Sequence, residues 1–180
     1  MSHPNRQKAS QKCAPTPVPP FINLHGRLVD SAFIDRMHAV RSFWVADSNG
    51  AVYHIGYHFL IMQDGTVQRG RPEHLHGGHA RGHADMLGIV LVGNFHAASN
   101  RGQEGPLTPP PAQLLATERL TRQLMTKYGL TPADVYLHRD LCPTACPGDH
   151  FPEKAFFAFF IFNPGNRVAD PVVPGSFDFN

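Results

Sequence analysis

The sequence predicts an α/β protein, a single domain with a central mixed β-sheet flanked by helices. Three observations predict it. Short apolar runs of strand length alternate with longer segments of helical spacing. Asp64-Gly65 sits between two apolar runs, as in a β-hairpin. Leu87 to Val92 is almost continuously apolar, as in a strand covered on both faces. The 180 residues suffice for one domain with tails, and such a domain buries most of its apolar surface without staples.

Residues 1–19 read as a flexible leader, with Pro15, Pro17 and Pro19 holding the backbone extended. The domain spans residues 20–162. It opens with Phe21-Ile22-Asn23-Leu24-His25, a buried strand ending in a histidine. Asp30 or Ser31 caps a helix with Phe33, Ile34, Met37 and Val40 at helical spacing. Tyr57, Phe59 and Ile61 then alternate with His58 and Leu60. Gln63-Asp64-Gly65-Thr66 makes the turn, and Val67 begins the return strand. Residues 70–84, rich in glycine and histidine, read as loop, and residues 87–92 as a central strand.

After a polar loop over residues 94–107, Thr108 caps a helix with prolines in its first turn. That helix carries Leu114, Leu115, Leu120, Leu124 and Met125, and Gly129 stops it. Val135-Tyr136-Leu137 is a short strand running into His138. Pro152 to Phe160 forms a last, phenylalanine-rich helix. Residues 163–180 read as an irregular tail.

Composition narrows the function. A hydrophobic fraction of 42% with 17% charged residues is globular. A net charge of +2 gives no case for nucleic acid as a partner. No run of 18 apolar residues provides a transmembrane segment. The first twenty residues lack the apolar core of a signal peptide, so the chain is expected to be made in the cytoplasm and to need another route out. Three cysteines are too few for a disulfide framework, whereas 12 histidines favour a metal site.

The richest segment is His138-Arg139-Asp140-Leu141-Cys142-Pro143-Thr144-Ala145-Cys146-Pro147-Gly148. Imidazole and thiolate are both good zinc ligands. Pro143 and Pro147 favour a loop that turns Cys146 back towards His138. One more nitrogen would complete a three-ligand site with a fourth position open to water. His25 is the best third donor, because it ends an apolar strand as His138 does, and functional groups collect at the carboxyl ends of strands. Two other arrangements are open. His138, Cys142 and Cys146 could be three ligands of a structural zinc if the segment were helical, although the prolines oppose a helix and leave Cys142 a free or packed thiol. His74, His76, His79 and His83 could bind a metal on their loop or simply form a polar groove wall.

The string from His138 to Gly148 is similar to the closing motif of the type 2 N-acetylmuramoyl-L-alanine amidases, which include amidase-type phage lysozymes and peptidoglycan recognition proteins. Three further pieces match in order: His25 at the first strand's end; Gly56-Tyr57-His58-Phe59 with the Gln63-to-Val67 turn; and His79-Ala80-Arg81-Gly82 followed by Leu87 to Gly93. The resemblance covers residues 20–160. It implies an amidase/peptidoglycan-recognition-protein-like fold and His25, His138 and Cys146 as ligands of Zn2+. It also implies Tyr57 and Thr144 as catalytic hydroxyls and His79 as a substrate-groove residue. Thr144 carries no charge, so its support of an oxyanion would be a neutral hydrogen bond.

The implied activity is zinc-dependent hydrolysis of the lactyl amide between N-acetylmuramic acid and L-alanine in peptidoglycan. A phage-type endolysin, released from the cytoplasm to act on the wall as a monomer, is the expected role. The alternatives are a recycling amidase for soluble muropeptides and a non-catalytic peptidoglycan-binding module.

Overall fold

The structure, a computed structural model, describes residues 31–39, 44–100 and 105–162. The leader, the strand ending at His25, the cap at Asp30, Val40 and the tail lie outside the described residues. Helix α1 (Ser31–Ala39) is followed by a two-stranded antiparallel ribbon of β1 (Val45–Ala46) and β2 (Val52–Tyr53). The main sheet is mixed, as expected. β3 (Phe59–Ile61) pairs antiparallel with β4 (Val67–Arg69) and parallel with β5 (Ile89–Leu91).

The hairpin forms at the expected turn. The Met62 amide donates to the Thr66 carbonyl at 2.8 Å, and the Asp64 carboxylate accepts the Thr66 amide at 2.8 Å. The described strands are ordered β4-β3-β5. β3 is the central strand, and β5 lies at one end of the described sheet, half-buried along its length. Hydrogen bonded on both edges and covered on both faces, β3 buries all three residues, so its apparent alternation is not a one-sided pattern.

The expected polar loop after residue 94 contains one helical turn, α2 (Ala97–Asn100). The Asp149 carboxylate accepts the Ala97 amide at 2.8 Å and so caps it. Helix α3 (Pro111–Tyr128) starts after Pro110, not at Thr108. Thr108 and Pro110 each precede a proline and are driven out of the helical region, with Pro110 at ψ 150°. The helix ends as expected: Gly129 takes φ +65°, and its amide returns to the Met125 carbonyl. Its buried stripe, however, is Gln113, Thr117, Leu120, Thr121 and Leu124, while Leu115 is exposed.

Two apolar clusters hold the layers together. Phe59 and Ile61 pack on Leu120 and Leu124. Leu137 and Phe151 pack on Phe156 and Phe160 of α5 (Glu153–Phe162), joined by Leu91, Leu114 and Val135. The Phe156 ring meets Phe151 and Phe160 edge-on at 5.5 and 5.1 Å. Among the described residues, Val135–Leu137 pairs with no strand. After a 3-10 turn at Pro132–Asp134, this stretch is held by Val135 and Leu137 in the second cluster. His138 therefore begins the one-turn helix α4 (His138–Leu141) instead of ending a strand.

Candidate functional site

The site is built first from α4 and the loop after it. The Asp140 carboxylate accepts the Leu137 amide at 2.8 Å, capping the turn that starts at His138. The aspartate thus serves the local backbone. The Cys142 amide closes the turn on the His138 carbonyl at 2.9 Å. The chain then reverses, and the Arg139 amide donates to the Cys146 carbonyl at 3.1 Å. Cys146 is brought back to the turn that carries His138, as the prolines suggested. Thr144 sits within this reversal, its hydroxyl oxygen accepting the Cys146 amide at 3.3 Å. The hydroxyl hydrogen is not used by that bond. The Arg139 side chain fastens the loop outward to the Gly148 carbonyl and the Glu153 carboxylate.

Burial sets the protonation of both candidate ligands. It lowers the pKa of His138 from its ordinary value, favouring a neutral imidazole with a free lone pair. It pushes the Cys146 thiol up to about 11, against a smaller downward pull from the Arg139 charge. A buried thiol of this kind becomes a thiolate when a cation replaces its proton. No described residue hydrogen-bonds the His138 ring. A neutral imidazole and a sulfur on one reversed segment are the donor chemistry that zinc takes.

His25, the third expected donor, lies outside the described residues. Among the described residues, no three His, Cys, Asp or Glu side chains gather so as to hold a metal ion. That corrects two of the open arrangements. His138, Cys142 and Cys146 are not such a group, because the helix lasts one turn and ends at Cys142. Nor are His74, His76, His79 and His83. Among the described residues, Cys142 and Cys146 form no disulfide.

The second part of the site is the segment before β3 and the loop before β5. The Gly78 amide donates to the Gly56 carbonyl at 2.9 Å, so Tyr57 and His79 each follow directly on a bonded pair. A Cβ on Gly56 would stand 2.9 Å from the Gly78 oxygen, so only glycine permits this approach. The His79 ring packs against Gly77 and Gly88 and meets His58 edge-on at 5.9 Å. Its Nδ1 is buried with no hydrogen-bond partner. Burial, with the nearby His58, His138 and Arg71, lowers its pKa to about 4. His79 is therefore neutral at physiological pH, and it is close enough to His138 that a proton on either ring would disfavour one on the other.

Sequence reasoning missed the supports beneath this site. His58, expected as an alternating strand residue, is 1% exposed. Its Nδ1 accepts the Gly88 amide at 2.9 Å, which leaves Nε2–H to donate to the Leu75 carbonyl at 3.0 Å. Arg71, also 1% exposed, donates from Nε to the Ile55 carbonyl at 2.8 Å and from Nη1 to the His76 carbonyl. On α1, Asp35 and His38 accept backbone amides of residues 54–56, and the His38 ring lies 5.9 Å from that of Tyr57. A polar residue at a strand start or in a glycine loop gives no sequence sign of such distant partners.

Known proteins resemble this chain in sequence and in fold. Residues 24–149 match the family model described as N-acetylmuramoyl-L-alanine amidase. The endolysin of Klebsiella phage KP32 is 39% identical over 94 residues, 52% of this chain and 58% of that protein. The N-acetylmuramoyl-L-alanine amidase of Homo sapiens is 36% identical over 98 residues, 53% of this chain and 16% of that protein. Among solved structures, N-acetylmuramoyl-L-alanine amidase LysC from Clostridium intestinale URNW superposes with a TM-score of 0.59 at 36% identity, covering 73% of this chain and 76% of that one. The chain spans less than two thirds of the length of the curated relatives it matches.

Proposed function

From the premise that this chain belongs to the N-acetylmuramoyl-L-alanine amidase family, we propose that it is a zinc-dependent amidase hydrolysing the lactyl amide between N-acetylmuramic acid and L-alanine in peptidoglycan. The observation that carries the reading is the return of Cys146 to the turn that begins at His138. It brings the backbone of Cys146 against that of the residue next to His138 within the family's matched segment, which supports a site shared by the two.

His25, His138 and Cys146 would hold the metal. Bound zinc supplies Lewis-acid polarisation of the scissile carbonyl and a water acidified to a pKa of about 7. The chain's own residues do the rest. His138 offers a lone pair because burial keeps it neutral. Thr144, tethered to the Cys146 amide through its oxygen, keeps its hydrogen to donate to the oxyanion that forms when water adds to the amide. Tyr57 is the second donor, and one such donor is typically worth ~2.7–4 kcal/mol. His79, neutral beside His138, lines the groove for the muropeptide without adding charge.

The similarity to a phage endolysin supports a lytic role, with the protein reaching the wall after leaving the cytoplasm. Product analysis tests the reaction. Digested peptidoglycan should gain free alanine amino termini and no new reducing sugar ends. New reducing ends instead, or binding with no cleavage, would overturn the reading.

A further inference from the structure

We propose that His38 is a positioning residue for Tyr57, acting through the amide of Gly56. The inference rests on the catalytic role given to Tyr57 above.

The segment from His54 to Tyr57 belongs to no strand, yet both of its edges are bonded. On one edge α1 supplies the acceptors. Asp35 Oδ1 takes the His54 amide at 2.7 Å and the Ile55 amide at 2.8 Å, and His38 Nδ1 takes the Gly56 amide at 3.0 Å. Three successive amides thus meet two side chains three residues apart on one helix, a spacing that puts both on one face. On the other edge, Arg71 Nε donates to the Ile55 carbonyl at 2.8 Å, the Gly78 amide to the Gly56 carbonyl at 2.9 Å, and the Arg71 amide to the Tyr57 carbonyl at 2.8 Å.

Gly56 is where this matters. A glycine restricts its own dihedrals least of all residues, and here no other residue fits, because a Cβ would meet the Gly78 oxygen at 2.9 Å. The backbone just before Tyr57 is therefore a hinge that its own side chain cannot stiffen. Three bonds stiffen it from outside. His38 at the Gly56 amide and Arg71 at the Ile55 carbonyl hold the peptide plane before Gly56, and Gly78 holds the plane after it. With both planes set, the Tyr57 nitrogen and Cα are set. The His38 ring also lies 5.9 Å from the Tyr57 ring, tilted by 46°, so one imidazole holds the hinge and flanks the side chain it directs. Accepting an amide at Nδ1 requires the neutral ring with its hydrogen on Nε2.

Three variants of the zinc-loaded full chain test this. His38→Leu keeps bulk and removes the acceptor. His38→Asn keeps an acceptor near the Nδ1 position. His38→Gln carries its carbonyl one bond further out and replaces the leucine variant if that one does not fold. On a soluble muramoyl-L-alanine peptide, loss of the acceptor should lower kcat by roughly 10- to 100-fold, the scale of a small misplacement of a reacting group, with KM within about threefold. His38→Asn should return kcat to within about threefold of the parent. In a Tyr57→Phe background, His38→Leu should cost nothing further, because both changes act on one group. Unchanged kcat in His38→Leu and His38→Gln, an asparagine variant as poor as the leucine one, or an undiminished loss in the Tyr57→Phe background would each overturn the proposal. A readout free of activity separates it from the amidase reading. In zinc-free protein, the hydrogen-exchange rates of the Gly56 and Tyr57 amides should rise in His38→Leu and return in His38→Asn. If they do so while the parent cleaves no amide, the amidase reading fails and the positioning stands; if they do not move, the positioning fails alone.

Discussion

The Arg139 amide donates to the Cys146 carbonyl at 3.1 Å, and through that bond the loop after α4 doubles back on the second residue of that helix. Neither His138 nor Cys146 belongs to the apolar clusters around α3 and α5. His138→Ala and Cys146→Ser should therefore lose bound zinc and amide cleavage while keeping native circular dichroism. Cys142→Ser should keep both zinc and activity, because Cys142 is tied into the site by its backbone. Zinc content per chain, measured on the three variants together, checks this. A Cys142→Ser protein without zinc would contradict it.

Acid should destabilise the zinc-free protein through His79. Its folded pKa is lowered to about 4 from 6.5, first by burial and then by the charges of His58, His138 and Arg71. Below pH 6.5 the unfolded chain takes up a proton that the folded chain refuses until about pH 4. The stability due to the neutral ring is thus complete above pH 6.5 and lost as the pH falls towards 4. Its size is on the order of 3 kcal/mol. His58 is lowered in the same direction, so it adds to the slope. His79→Asn should flatten the fall of melting temperature between pH 6.5 and pH 4 without abolishing it. An unchanged slope would show that His79 does not titrate in this way.

The junction of α3 with the sheet depends on one amide side chain. Gln113 is 0% exposed, and its Nε2 donates to the Ile61 carbonyl at 2.8 Å and the Val92 carbonyl at 3.1 Å. Gln113→Leu leaves both carbonyls without that donor and should cost about 1–3 kcal/mol. Leu115→Gln, two residues along the same helix and 42% exposed, should stay within about 0.5 kcal/mol. Urea unfolding of the two variants gives the comparison, and equal costs would refute this account of the junction.

Local chemistry was legible in the sequence, and long-range pairing was not. The Asp64-Gly65 turn, the stop at Gly129 and the phenylalanine helix are written in neighbouring residues, and each appears where expected. The reversal that returns Cys146 was legible from the prolines around it. The start of α3 was missed because three consecutive prolines move a helix start downstream of a good cap. The pairing of β3 on both of its edges was not legible, because strand order is set by distant partners that local composition does not encode. His38, Asp35, His58 and Arg71 were missed for the same reason: each earns its role from backbone groups 16 to 30 residues away.

The central claim is that amide cleavage depends on zinc held partly by His138 and Cys146. Its most direct test is alanine amino termini released from peptidoglycan before chelation, after chelation, and after zinc is returned, with metal counted at each stage. The account predicts about one zinc per chain, cleavage lost with the metal, and cleavage restored with it. Undiminished cleavage by metal-free protein would contradict it.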